Sequence, residues 1–464
     1  MTAILRAVPL LAISLILALE TPAQVKDATE GLQITVYNSD LAVVKDRRKM
    51  AVPTGVGELK FTDVATRIDP TSVHFESLSD PEGTTVLEQN YEYDLVNPTK
   101  LLDKYLDQRV RLYVQEGEVH EGMLLSQAEG RVILKDDSGQ IQVVSGGENL
   151  LRVELPNLPE GLITRPTLVW QTWSKTGGEQ LAQVTYMTGG INWKADYVMV
   201  VAPDEKTVDL TGWVTLDNQS GATYRDARLK LIAGDVNRVQ PPQEVYGKRA
   251  MVPEAAMLAA DAPGGFEEKA FFEYHLYTLQ RPTTIKNAQT KQVELLAAQD
   301  APAKKIYLYD GQKSGKKVEV KMEFRNSKEN RMGMPLPKGT VRAFKADTDG
   351  SLEFVGEDQI DHTPKDEDLR ILLGNAFDIV GERTQLEARE VSRAVREETW
   401  QIKLRNHKEE AVLVTVVEHR WGDWKVIRSS QESRKKDAQT LEFDVEVAPD
   451  QEQVVTFTVQ TRFF

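Results

Sequence analysis

Apolar and polar residues alternate along most of this chain, and the alternation predicts β-strands. The clearest stretch is 208–234, where apolar residues occupy every second position until a cluster of turn-forming residues at 218–221. A period of two places these side chains on one face of an extended strand. The alternation resumes at Leu229 and Leu231. The pattern therefore predicts a β-hairpin with a long, ordered connection.

The region before residue 157 is predicted to hold two groups of short strands. Strands at 32–37, 41–45, 59–61 and 72–78 indicate an antiparallel meander. Asn97 and Pro98 are typical of a helix start and precede a short apolar stripe. Five short strands, at 110–114, 119–126, 131–135, 140–144 and 150–153, follow. They are typical of a small SH3-like or Sm-like barrel, with the helix as its lid.

The carboxyl-terminal third has the most regular alternation. Segments 318–324 and 441–447 each place four apolar residues between charged ones. Burying four such side chains contributes about 6 to 12 kcal/mol, whereas ordering eight residues costs about 8 to 16 kcal/mol of backbone entropy. No single strand is stable alone, so a second sheet is expected opposite. Strands near 400–404, 412–416 and 455–459 complete the predicted sandwich.

These patterns predict a mainly β fold, with antiparallel Ig-like β-sandwich regions, an inserted small SH3/Sm-like barrel and few short helices. Trp170, Trp173, Trp193 and Trp213 are expected in the core. The predicted segments are a signal peptide at 1–23, an amino-terminal antiparallel β region at 24–96, a helix plus five-stranded barrel at 97–156, a central β region at 157–240, a long and partly disordered loop at 241–302, and a β-sandwich at 303–464.

The segment 241–302 is predicted as a loop because proline and glycine interrupt the strand pattern, with order returning at 271–277, which is rich in strand-forming residues. A loop this long inside a compact domain is usually functional or disordered. We therefore expect a contact site for a partner there.

Composition and the first residues indicate an exported protein. Arg6 precedes a mostly apolar run at 7–19, and small residues at 21–23 offer a cleavage site before Gln24. As a helix this run spans about 20 Å, against a hydrocarbon core of about 30 Å. A cleaved secretory signal is therefore favoured over a membrane anchor. We expect a periplasmic or extracellular protein with no transmembrane span in the mature chain.

Charge and cysteine content exclude several classes of partner and site. The 57 basic and 71 acidic residues give a formal net charge of −14, which repels phosphate backbones. Nucleic acid is therefore not an expected partner. The chain has no cysteine, so it forms no disulfide, thiolate metal site or cysteine nucleophile.

Motifs for established chemistries are missing from the sequence. The six histidines form no H-E-x-x-H motif, and no nucleophile elbow, P-loop or dinucleotide fingerprint occurs. The stretch DTDG at 347–350 departs from an EF-hand, because glycine stands fourth and Asp358 occupies position twelve. An Asp-Gly hairpin turn is favoured there. A calcium-stabilised adhesion module is a weaker alternative.

The densest polar cluster is DHTPKDED at 361–368. Carboxylates beside His362 would serve as acid and base if the fold buried them together. Consecutive residues point to different sides, however, and Pro364 indicates a solvated turn. We therefore predict no catalytic residue, no cofactor-binding residue and no metal ligand.

Several long motifs lie in the body of the chain. They are TGGINWKADY at 188–197, LDNQSGATYRDARLKLIAGDVNRVQ at 216–240 and PLPKGTVRAFKADTDGSLEFVGEDQIDHTPKDEDLRILLGNAFDIVGER at 335–383, with ITVYNSDLAVVKD at 34–46 as a looser match. These motifs resemble the bacterial family described as domain of unknown function 4139. The resemblance implies a secreted or envelope-located β-rich protein, and the family has no established activity to assign to any residue.

Two functions are compatible with these features. The leading hypothesis is a non-enzymatic envelope or extracellular protein that presents loops to a partner protein or polymer. The alternative is a hydrolase or lyase acting on an envelope polysaccharide or peptide. Glu or Asp pairs beside Trp421 and Trp424 in an open cleft would favour that alternative, whereas buried rings would reject it.

Overall fold

The computed structural model describes most of the chain and is mainly β. The described residues are 30–93, 98–128, 130–145, 150–156, 164–234, 265–272, 274–347 and 349–463. The predicted signal peptide at 1–23 and the first part of the predicted loop, 241–264, lie outside them. Within these ranges no helix has the length and apolar character needed to cross a membrane.

The elements run in the following order. The first half contains β1 (Gly31–Tyr37), β2 (Ala42–Val52), β3 (Gly55–Thr62), β4 (Ile68–Ser77), β5 (Thr84–Glu92), α1 (Pro98–Lys104), β6 (Arg109–Val114), a 3-10 helix (Gln115–Gly117), β7 (Val119–Ala128), β8 (Arg131–Lys135), β9 (Ile141–Ser145), β10 (Leu150–Glu154), β11 (Thr167–Ser174), β12 (Gly178–Thr188), β13 (Ile191–Val201), β14 (Thr207–Asn218) and β15 (Tyr224–Ala233).

Among its described residues, the second half contains strands and no helix. They are β16 (Phe266–Phe271), β17 (Tyr274–Leu279), β18 (Thr283–Ile285), β19 (Gln289–Tyr309), β20 (Lys317–Arg325), β21 (Gly339–Ala346), β22 (Leu352–Ile360), β23 (Asp368–Ser392), β24 (Val395–Asn406), β25 (Val412–His419), β26 (Asp423–Ser429), β27 (Arg434–Lys435), β28 (Thr440–Val447) and β29 (Gln451–Arg462).

The amino-terminal strands do not form the meander that the sequence pattern predicts. β1 and β2 pair as expected, but β3 pairs with β11 and β4 pairs with β12. The turn before β3 uses Gly55 at φ 74°, a conformation that glycine adopts without a steric penalty. The chain leaves the first sheet at this turn, so consecutive strands belong to different sheets.

The predicted hairpin at 208–234 is also wrong, although both of its strands form. β14 pairs with β13 and β19, whereas β15 pairs with β17 and runs parallel to β1. The connection therefore carries the chain from one sheet to another. Alternation predicts each strand but does not choose its neighbours.

The small five-stranded sheet is an insertion with its own apolar core. Its order is β10-β6-β7-β8-β9, and its described strands form an open sheet in which β9 and β10 are not paired. The described strands of this region therefore do not close into the predicted barrel. Leu102 and Tyr105, at the helix, join the core of the sheet, as the predicted lid requires. β5 and β11, on either side of the insertion, pair with each other through Glu92 and Thr167.

The predicted return of order at 271–277 is confirmed, but the ordered strands begin earlier and continue to the end of the predicted loop at 241–302, so the loop is wrong over its second part. From Phe266 onward the chain forms β16, β17 and β18 and enters β19, whose 21 residues pair with β14 and β20. Apolar residues at Leu276, Tyr277 and Leu279 are buried. Strand-forming residues in this stretch therefore outweigh the scattered turn signals.

Two apolar cores organise the body. The first draws on β1, β2, β12 to β15, β19 and neighbouring strands. The second contains the predicted carboxyl-terminal strands, with Val318, Ile402, Val414, Val445 and Phe457 fully or nearly fully buried. Burial of Trp170 and Trp193 confirms two of the four predicted core tryptophans. Trp173 is 40 % exposed and Trp213 is half-buried, so the interpretation fails for these two.

Three buried asparagines hold the turns that follow long strands. Asn218 ends β14, Asn326 follows β20 and Asn406 ends β24, and each is at most 1 % exposed. Each side-chain amide donates to at least two backbone carbonyl groups at 2.8 to 3.1 Å: Ala222 and Lys286 for Asn218, Met334 and Pro364 for Asn326, and Glu410 and Val447 for Asn406. A buried asparagine that binds two backbone carbonyl groups thus recurs at three strand ends.

Candidate functional site

The polar cluster at 361–368 is part of a turn. Thr363 forms a bridge with Leu336, and Asn326 Nδ2 donates to the Pro364 carbonyl at 2.9 Å. The backbone N–H of Lys338 donates to His362 Nδ1 at 3.2 Å. Asp361, His362 and the acidic residues after Pro364 are exposed. The structure gives this cluster a role in holding the turn, in agreement with the sequence interpretation.

The stretch at 347–350 is a hairpin turn between β21 and β22, which confirms the Asp-Gly interpretation. Gly350 N–H donates to the Asp347 carbonyl at 3.0 Å, and Ser351 N–H donates to Asp349 Oδ1 at 2.8 Å. The hydroxyl and backbone hydrogen bonds from Ser351 hold the pKa of Asp349 below its ordinary value. Among the described residues, no group of three histidine, aspartate or glutamate side chains is arranged to hold a metal ion.

A buried charge network lies in the carboxyl-terminal core, and sequence reasoning missed it. Glu418 is fully buried and forms ion pairs with Arg383 at 2.7 Å and with Arg420 at 2.9 Å. Arg420 also reaches Glu398 at 3.4 Å. The guanidinium of Arg383 lies 3.4 Å from the centre of the Trp400 ring. This network unites β23, β24 and the end of β25.

Burial sets the electrostatics of this network. Desolvation lowers the pKa of Arg420 below its ordinary value, although Glu418 opposes that shift. Arg420 Nε has no hydrogen-bond partner among the described groups. Arginine stays charged in proteins, so the carboxylates of Glu418 and Glu398 are needed to balance it. The arrangement is that of a structural ion cluster.

Next to this network, an aspartate and a histidine form a pair of the kind used in proton transfer. His419 Nε2 lies 2.8 Å from Asp310 Oδ2, and Asp310 is 3 % exposed. Asp310 Oδ1 accepts hydrogen bonds from the backbone N–H groups of Gln312 and Lys313, each at 3.2 Å. A carboxylate fixed in this way orients the imidazole that it contacts. No sequence motif links the two residues, which are 109 positions apart.

The two tryptophans named for a sugar-cleaving cleft differ in their surroundings. Trp424 is 5 % exposed, and its Nε1 donates to the Ala438 carbonyl at 2.8 Å. Trp421 is 70 % exposed and follows the buried network directly in sequence. The buried ring of Trp424 removes one wall of the predicted cleft.

The outer face of the small sheet is formed by Met123, Ile133, Lys135, Ile141 and Val143. Strand register places them together, because Met123 pairs with Lys135, Lys135 with Ile141 and Ile133 with Val143. Paired residues of neighbouring antiparallel strands point to the same side of a sheet. Met123, Ile141 and Val143 are 45 %, 56 % and 60 % exposed. This apolar surface faces away from the core of the small sheet.

Basic side chains border the outer face of the small sheet. Arg109 pairs with Asp137 at 2.8 Å and Arg111 with Glu121 at 2.8 Å, while Arg131 lies exposed on the same strand as Lys135. The apolar alternation in β9, with Ile141 and Val143 on the side opposite the buried Val144, is the sequence signal that could have located this face.

Comparison with known proteins supports the resemblance drawn from the sequence motifs. The family model described as "Domain of unknown function (DUF4139)" matches residues 182–463. The match includes the three long motifs at 188–197, 216–240 and 335–383 entirely and leaves 34–46 outside. No curated protein matches the chain. Because the matched range covers more than half of the 464 residues, the chain belongs to the DUF4139 family.

Proposed function

We propose that this chain is an exported cell-envelope or extracellular protein that acts by binding a partner protein or polymer through the outer face of the small sheet. The observation that carries the proposal is the exposure of Met123, Ile141 and Val143 on one face. Contiguous apolar surface of this kind marks interaction sites in soluble proteins.

Charge favours an acidic partner. Lys135 lies between Met123 and Ile141 in the strand register, and Arg131 is on the same strand and face. The chain as a whole has a formal net charge of −14, so this locally basic surface stands out from its surroundings. A partner that carries carboxylates around an apolar patch would complement it.

We further propose that the small sheet and the carboxyl-terminal region are related to known β folds. In the small sheet the fifth strand, β10, pairs with the first strand, β6, which favours an SH3-like or Sm-like topology. In the carboxyl-terminal region, β24 and β29 pair with each other, and so do β25 and β28, while their apolar side chains share one core. This arrangement favours an Ig-like β-sandwich.

Substitution of the outer face tests the binding role. The double variant I141S/V143S removes apolar area at exposed positions, so it should fold normally. Leu413→Ser, at a 50 % exposed position on β25, is the matched control. The wild-type and control proteins should retain a specific partner from an envelope extract, and the double variant should lose it. Equal retention by all three proteins would reject this face as the contact.

Export is tested separately with the natural leader in place. Residues 1–23 should direct the chain out of the cytoplasm, and the mature protein should begin at Gln24. Cell fractionation with amino-terminal sequencing measures both. Unprocessed protein confined to the cytoplasm would contradict the proposal.

A second candidate function is hydrolysis or elimination on an envelope polysaccharide or peptide. The pair of Asp310 and His419, close in sequence to the exposed Trp421, favours it. His419→Gln should abolish release of reducing ends or free amino groups from envelope polymers, and His407→Gln serves as a control. If wild-type protein releases nothing, or if both variants act equally, this candidate is rejected.

A further inference from the structure

A pocket of about 280 Å³ lies where the two apolar cores meet. Its wall includes Met322, which belongs to the first core, and Tyr307, which belongs to the second. The half-buried side chains of Val320, Val355 and Leu373 add further apolar surface. The volume is close to the lower end of the range for small-molecule sites, and such sites often lie at junctions between packed units.

Three lysines supply the positive charge of this pocket. Lys305, Lys345 and Lys408 line it together with Glu205 and Asp378, which leaves an excess of one positive charge. Glu205 contacts both Lys305 and Lys345 through salt bridges. Two of the three ammonium groups are therefore already paired with the same carboxylate.

Lys408 is the cation most available to a ligand. Its Nζ lies 3.7 Å from Glu410, a residue whose side chain is 65 % exposed, and 5.5 Å from the centre of the Tyr307 ring. An exposed ion pair of this length contributes little and is easily exchanged. The ammonium group thus lies near the Tyr307 ring, and its distant, solvent-exposed carboxylate partner can be replaced by the carboxylate of a ligand.

Phe377 gives the pocket an exposed aromatic side chain. Its ring is 95 % exposed although the residue lines the pocket, between Ala376 and Asp378. A phenylalanine with so little contact gains free energy when an apolar body covers it. The pocket therefore combines a buried apolar wall, an available ammonium group and an uncovered ring.

We propose that this pocket binds a small amphipathic carboxylate, with the carboxylate at Lys408 and the apolar body between Tyr307, Val320 and Phe377. Lysine acts as a compact point charge that pairs with a carboxylate without demanding planar geometry. An unbranched acyl acid of medium length fits both the volume and the single available charge. This inference rests on the pocket alone and is independent of the outer face of the small sheet.

Calorimetric titration of the full chain with octanoate tests the proposal. Octanoate should bind, whereas acetate, which lacks the apolar body, and octylammonium, which reverses the charge, should not. Lys408→Gln should weaken octanoate binding about tenfold, a change equivalent to about 1.4 kcal/mol. Lys425→Gln, at an exposed lysine outside the pocket, should leave it unchanged.

Two further variants should change octanoate binding in opposite directions. Glu205→Gln releases the ammonium groups of Lys305 and Lys345, so octanoate should bind several-fold more tightly. Phe377→Ala changes an exposed ring, leaves the fold intact and should weaken binding several-fold. Absence of octanoate binding, or equal binding by the Lys408→Gln and Lys425→Gln variants, would overturn the proposal.

Discussion

Glu418 and Arg420 form a buried ion pair in which Oε2 and Nη2 are 2.9 Å apart and the side chains are 0 % and 8 % exposed. Arg383 approaches the other oxygen of the same carboxylate at 2.7 Å. One buried anion thus serves two buried cations. Loss of the anion removes the ion-pair partner of Arg383 and leaves Arg420 with the more distant Glu398, at 3.4 Å.

Glu418→Ala should therefore lower the free energy of unfolding by about 3 to 5 kcal/mol, the range observed when one partner of a buried pair is removed. Urea unfolding followed by circular dichroism measures the change. Glu179→Ala removes a surface partner of Lys49 and should have little effect. If the two variants lost similar free energies of unfolding, the buried ion pairs of Glu418 would contribute no more to stability than a surface ion pair.

Asn406 should be far more sensitive than an exposed asparagine. Its Nδ2 donates to the carbonyl groups of Glu410 and Val447, and its Oδ1 accepts from the Lys408 N–H at 3.0 Å. Asn406→Ala leaves these buried groups unsatisfied, so we expect a loss of about 2 to 4 kcal/mol. Asn192→Ala, on the exposed side of β13, is the control. Thermal melts of both variants decide the matter.

Gly381 is required by its neighbour Tyr309. A Cβ atom at this position would overlap the Tyr309 ring, which is fully buried. Gly381→Ala should therefore cost about 1 to 3 kcal/mol through overpacking. Gly265 has open space around its Cα, and Gly265→Ala should be neutral or slightly stabilising. A stable Gly381→Ala protein would mean that the ring moves at no cost.

Glu442 should make stability depend on pH in the acid range. Burial alone would raise its pKa, but hydrogen bonds from Lys436 and Arg434 outweigh burial and hold the pKa below its ordinary value. A lowered folded-state pKa stabilises the protein above the unfolded-state value, about 4.3. This contribution disappears as the pH falls through the folded-state pKa.

The variant Glu442→Gln tests this sign. It should be less stable than the wild-type protein at pH 7, and the gap between the two should narrow as the pH is lowered below about 4. Urea unfolding at several pH values measures the gap. A gap that stays constant from pH 7 to pH 3 would exclude a role for ionised Glu442.

The sequence predicts individual strands well because each strand buries one face. Val318 and Met322 on β20, and Phe443 and Val445 on β28, are buried as their alternation requires. The sequence does not predict the neighbours of a strand, because the alternation of side chains carries no information on which strand edges will pair. β14 and β15 show this limit: both strands form, yet in different sheets.

The candidate sites depend on long-range contacts that local patterns do not contain. Glu205 meets Lys305 and Lys345 across 100 and 140 positions of the chain. His419 and Asp310 meet because β19 and β25 run parallel as neighbours. Only the outer face of the small sheet carries a local signal, in the apolar positions of β9. The sites around Glu205 and around His419 and Asp310 can be located only once the strand pairing is known.

The direct pairing of β5 with β11 has a consequence for replacing the small sheet. The stretch between Glu92 and Thr167 leaves and rejoins the body at adjacent positions, so its length hardly affects the entropy of closing the connection. Because the small sheet has its own apolar core, this contiguous segment can be replaced by another without repacking either core of the body. The rest of the chain would then keep its structure, and a protein with a different binding surface would be obtained by replacing the small sheet alone.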